Sequence, residues 1–181
     1  MRNLSGGRAL AACAALAMVC LVGAARAEGA GEAAQAEQKR KVRVVDTTIA
    51  RGELGTVSVR LDAQGDEIAM TFTLTFDTGS LRCQRALKGG HAQDFRLTLN
   101  DRQAAEGRLG VVLDSDAPFA AGEREILKVC FQAKEGQGAA EARVGFAGRP
   151  PTAQSIADAL AKELKADWVA GTVKVTPAGG P

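Results

Sequence analysis

The sequence contains one histidine, His91, in a glycine-bordered turn, Lys88-Gly-Gly-His91. A serine or cysteine nucleophile needs a base within hydrogen-bond reach, so His91 would have to serve any such pair. No Gly-x-Ser-x-Gly elbow accompanies it, and a solitary loop histidine far more often faces solvent. Structural zinc asks for four closely spaced ligands, whereas His91, Cys83 and Cys130 are scattered along the chain. Asp114 and Asp116 flank a turn and could hold Ca²⁺ with backbone carbonyls. A dedicated calcium loop carries a denser alternation of acids, and Asp is an ordinary turn residue. Phosphate-binding glycine loops are absent, and no pair of carboxylates stands out for glycoside hydrolysis. These residues point to no catalytic group, no metal and no cofactor, and so to a protein that is not an enzyme.

Binding is the other chemistry to weigh. Sugar recognition on a β-sandwich usually rests on aromatic platforms, and Trp168 is the one Trp in a chain with no Tyr. Its place before the last strand suits packing or a sheet edge, with a weak sugar contact as the other reading. Thr71, Thr73 and Thr75 form a row that reads as an exposed sheet face, either a recognition surface or an ordinary wet side. Cys83 and Cys130 are an even pair once Cys13 and Cys20 are assigned to a leader. A disulfide between them would close a loop of about 47 residues and add ~3–4 kcal/mol. The alternative is two separate thiols, although Cys130 shares a face with Lys128 and Gln132, an odd place for a free one.

The elements that must position these residues follow from periodicity. In Ile68–Asp77, Met70, Phe72, Leu74 and Phe76 alternate with Thr71, Thr73 and Thr75, the pattern of a half-buried strand. Similar alternation marks Val42–Val45, Thr56–Asp62, Leu81–Leu87, Phe95–Leu99, Gly107–Asp114, Glu125–Ala133, Ala142–Phe146 and Thr172–Thr176. Turn residues separate them. The expectation is an all-β fold, an antiparallel nine-stranded jelly-roll β-sandwich. One short helix before the last strand is expected over Thr152–Ala166, from Ile156, Leu160 and Leu164 at spacing four.

Residues 1–27 have the layout of a signal peptide: Arg2 and Arg8, an uncharged run from Ala9 to Ala25, then Ala25-Arg26-Ala27. The run is too short and alanine-rich for a membrane anchor, so the expectation is export to a periplasm or beyond, with no membrane span after cleavage. Residues 28–40 read as a flexible spacer and 178–181 as a tail, leaving a domain over 41–177. Of 23 basic residues, three precede Glu28 and no acidic residue does, leaving 20 basic against 21 acidic. That balance excludes a general nucleic-acid surface.

The order of these motifs resembles the cohesin-like domains, which belong to the same sandwich superfamily as some bacterial carbohydrate-binding modules. The matching residues are Val57-Ser-Val-x-Leu61, Phe76-Asp77 with Leu81 four on, Gly107-Arg-Leu-Gly-Val-Val-Leu-Asp114, Phe119-Ala-Ala-Gly-Glu-Arg-Glu-Ile126 with Val129 and Phe131, and Gly171-Thr-Val-Lys-Val175. One departure is Thr78, where cohesins often carry Pro after the Asp. The resemblance implies a non-catalytic module that docks another protein through one sheet face. That partner would be a dockerin-like domain or a cell-envelope protein, with a link to extracellular polysaccharide breakdown. The alternative it carries is a carbohydrate-binding module.

Overall fold

The computed structural model describes residues 40–136, 139–148 and 151–178. The leader expected at 1–27 and the spacer lie outside the described residues, apart from Arg40, which already belongs to the first strand. Twelve strands follow in chain order: β1 Arg40–Val44, β2 Thr47–Ala50, β3 Leu54–Ala63, β4 Ala69–Phe76, β5 Leu81–Lys88, β6 Arg96–Asn100, β7 Arg108–Asp114, β8 Gly122–Ala133, β9 Glu141–Ala147, β10 Ser155–Ala157, β11 Ala166–Val169 and β12 Gly171–Thr176. Each of the nine stretches expected from alternation is a strand. The short β2, β10 and β11 raise the count to twelve.

Two sheets form. The first has the order β11-β1-β3-β8-β5, and the second β2-β12-β9-β4-β7-β6, with β10 continuing the pairing along β4. Most neighbours are antiparallel, but β1–β11 and β2–β12 are parallel, so the sandwich is mixed rather than purely antiparallel. These parallel pairs arise because the chain passes from the first sheet to the second twice, side by side. β1 runs on into β2 past Asp46, and β11 runs on into β12 past Ala170. The Thr172 amide donates to the Asp46 carboxylate at 2.7 Å and ties the two crossings together.

The inner faces hold the core. Met70, Phe72, Leu74 and Phe76 of β4 are buried, as are Leu109, Val111 and Leu113 of β7. Opposite them lie Val57, Val59 and Leu61 of β3 and Leu127, Val129 and Phe131 of β8. Phe76 meets Phe131 across the layers, ring centroids 5.0 Å apart. Each large apolar side chain withdrawn from water in this way stabilises the fold by about 1.5–3 kcal/mol. Gly107, just before β7, has φ 79°, and a Cβ there would lie 2.3 Å from the Phe76 carbonyl oxygen, so only glycine fits. Asp77 closes the turn into β5. Bonds from the Ser80 hydroxyl (2.7 Å) and the Gly79 amide (2.9 Å) hold its pKa below the ordinary carboxylate value.

The helix expected over Thr152–Ala166 is absent. Ile156 is buried by pairing opposite Met70 in β10, and the chain then turns back. The Leu164 amide bonds to the Ile156 carbonyl, and Ala157 faces Glu163. At the tip, the Asp158 carboxylate accepts the Leu160 and Lys162 amides, both at 2.9 Å. Leu160 is 88% exposed. Ile156, Leu160 and Leu164 therefore never share a face, and the Asp-built turn is the local alternative that won. Among the described residues the only helical element is a single 3-10 turn, Ala104–Glu106. None is long and apolar enough to cross a membrane.

Phe72 is wholly buried, and its ring contacts both Phe146 and Trp168. Phe72→Ala is expected to cost about 3–5 kcal/mol, read as a lower urea midpoint with an unchanged slope. A loss under about 1 kcal/mol would contradict the inward assignment of β4.

Candidate functional site

The two outer sheet faces of the sandwich differ. The outer face of the second sheet carries Thr71, Thr73 and Thr75. It is not the open face expected: residues 151–154 cross over it. The Thr73 hydroxyl donates to the Thr152 carbonyl at 2.9 Å and accepts the Thr152 amide at 3.0 Å. The Thr71 hydroxyl donates to the Ala153 carbonyl at 2.6 Å. Thr73 is fully buried, and Thr71 and Thr75 are half-buried. Gly110 of β7 makes room, since a Cβ there would lie 2.7 Å from Pro151 Cγ. Thr71 and Thr73 thus spend their hydroxyls on a crossing strap rather than on an open face.

The outer face of the first sheet has no such cover among the described residues. At the β1 end it is a balanced ion-pair lattice. Arg43 reaches Asp62 at 2.6 Å and Glu123, and Arg60 reaches Glu123 at 2.5 Å. Burial works against the Glu125 carboxylate. Bonds from the Ser58 hydroxyl (2.7 Å), the Gly90 amide (2.9 Å) and Lys128 nevertheless hold its pKa below the usual value. Exposed pairs of this kind stabilise by at most about 1 kcal/mol each. They organise the surface more than they hold the fold.

The remaining candidates have structural roles. His91 accepts the Glu125 amide on Nδ1 at 3.0 Å and so fastens its turn to β8. Asp114 is engaged by Arg96. No group of three or more His, Cys, Asp or Glu gathers among the described residues. Trp168 packs against Phe146 at 5.1 Å and Phe72 at 5.7 Å, bridging β11 of one sheet to the other. It also walls a groove of about 410 Å³ at the open edge between β10 and β11, beside Ile156 and Leu164. Phe95 stacks on Phe119 with centroids 3.7 Å apart. All six Phe and the single Trp are thus engaged in ring contacts, and no aromatic platform stands free for a sugar.

Cys83 and Cys130 are free thiols, so of the two readings left open by the sequence the structure has the separate thiols and not the bridge. They lie on neighbouring strands but out of step: Cys83 faces Phe131, and Cys130 faces Arg85, with a bulge at Gln84 between. Phe131 points inward, which places Cys83 against the core and Cys130 on the outer face. A bridge would need the backbone to move.

No family model matches the sequence, and no curated protein matches it significantly. Solved structures do. The chain is similar to a non-cellulosomal cohesin from the archaeon Archaeoglobus fulgidus, at 14% identity and TM-score 0.64, covering 76% of this chain and 91% of that one. It is similar to the sixth cohesin of scaffoldin B from Acetivibrio cellulolyticus, solved in complex with a dockerin, at 17% identity and TM-score 0.64, covering 76% and 99%. A type I cohesin–dockerin complex from Clostridium thermocellum gives 12% identity and TM-score 0.62, covering 76% and 99%. The architecture is thus that of two-layer β-sandwich domains. Within that class, this chain has a cohesin-like fold.

Two outcomes test these assignments. Thr73→Val removes the hydroxyl under the strap and leaves the Thr152 amide and carbonyl unpaired. The expected loss is about 1–3 kcal/mol, with faster hydrogen exchange at the Thr152 amide. Burial, with Cys130 and Asp101 nearby, pushes the Cys83 thiol from an ordinary 9.0 up to about 11. In a Cys130→Ser variant, iodoacetamide alkylation of Cys83 should still climb between pH 9 and 11, and a plateau near pH 9 would contradict the inward placement. The same shift carries stability that is whole below pH 9 and is lost as the pH rises through 11.

Proposed function

We propose that this protein is a non-catalytic docking module that holds another protein through one face of its sandwich. The observation that carries the reading is the likeness to cohesins over 91–100% of their own length, several of them solved with a dockerin bound. The engagement of every aromatic ring in packing favours protein over carbohydrate as the ligand. The layout of residues 1–27 supports export, so the partner belongs to the periplasm, the envelope or the medium. A dockerin on a polysaccharide-degrading enzyme would link the module to polysaccharide breakdown.

The test is calorimetric titration of the purified chain with a panel of dockerin domains and with oligosaccharides. Saturable binding of a dockerin at micromolar affinity or better, with no heat from sugars, is the expected result. Binding to oligosaccharides alone would overturn the reading.

A further inference from the structure

The face that the strap leaves open is uneven in charge. On the outer side of the first sheet, three rows cross from β3 through β8 to β5: Leu54–Gln132–Arg82, Thr56–Cys130–Arg85 and Ser58–Lys128–Leu87. These rows hold Arg82, Arg85 and Lys128 and no acidic residue of their own; the Glu125 carboxylate already engages Ser58 and Lys128, which leaves the two arginines as the uncompensated cations. Arg40, Arg43, Arg60 and Arg96 each reach an acid. Arg82 and Arg85 make neither an ion pair nor a side-chain hydrogen bond among the described residues. At two corners of the same patch, Leu54 is 60% exposed and Leu87 49%. Arg82 and Arg85 stand in adjacent rows, and beside Arg85 the middle row carries only the small Thr56 and Cys130.

We propose that this patch docks an acidic protein surface, whose carboxylates fork onto Arg82 and Arg85 while apolar side chains cover Leu54 and Leu87. The proposal rests on the docking reading above and gives it a face and a partner chemistry. Charge complementarity commits it to an acidic protein. Guanidinium groups bind carboxylates two bonds at a time and shed water readily, so a free pair on a rigid sheet is a preorganised carboxylate clamp. Charge sets the encounter rate and the register, and the leucines supply area that excludes water. The balanced ion-pair lattice at the β1 end bounds the patch, because its arginines are already engaged.

The test uses the full chain and a fluorescent peptide of alternating Glu and Leu, with a Lys-Leu peptide as control, followed by anisotropy at low and high salt. The acidic peptide should bind, the basic one should not, and added salt should weaken the complex. Arg82→Glu with Arg85→Glu should weaken it at least about tenfold. Lys174→Glu, on the exposed side of β12 in the other sheet, should leave it unchanged. Arg82→Gln with Arg85→Gln gives a milder form should the reversal disturb β5, and it should weaken binding in the same direction. Failure of the acidic peptide to bind, or equal binding by the neutralised variant, would overturn the proposal. A dockerin that binds the wild-type chain and the neutralised variant alike would also overturn the patch while leaving the docking reading intact. Peptide binding without any protein partner would leave the patch and count against docking.

Discussion

The interaction on which the rest depends is the burial of β4's inner face against the first sheet. Met70, Phe72, Leu74 and Phe76 sit at the centre of the second sheet, and Phe72 and Phe76 reach across to Trp168 and Phe131. Side chains alternate along a strand, so fixing these residues inward fixes Thr71, Thr73 and Thr75 outward. A slip of one residue would reverse both sets. The strap over residues 151–154, the place of β10 and the covered state of the second sheet all follow from that parity.

The consequence for function is a division of labour between the two outer faces. The threonine face is occupied by the chain's own backbone through bonds to Thr152 and Ala153. The other face carries only side-chain chemistry, part of it neutralised internally and part not. All six Phe and the Trp pack against another ring, so the open face of the first sheet offers charge and aliphatic contact.

The long strands were legible because one face of each is continuously apolar, as in Val57-Ser-Val-Arg-Leu61. β2, β10 and β11 were not, because three or four residues carry too little periodicity to separate strand from loop. Ile156, Leu160 and Leu164 matched a helical spacing by composition, and the Asp158 turn decided otherwise through local hydrogen bonds. The threonine row shows the limit of polarity as a signal: alternation says that a residue avoids the core and not whether water or backbone meets it. Cys130 was placed correctly on an outer face by parity. Cys83 required its partner residue across the ladder, and the bulge at Gln84 is invisible in sequence. Arg82 and Arg85 are also unremarkable as letters; their isolation emerges only once Arg43 and Arg60 on the same sheet are seen to be engaged by acids.

The paired crossings from one sheet to the other have a mechanical consequence. β1 and β2 run alongside β11 and β12 in the same direction, so the chain enters at one pole of the sandwich and leaves at the opposite pole. Tension applied to the two ends pulls these ladders lengthwise. Their hydrogen bonds then bear the load together instead of parting one after another.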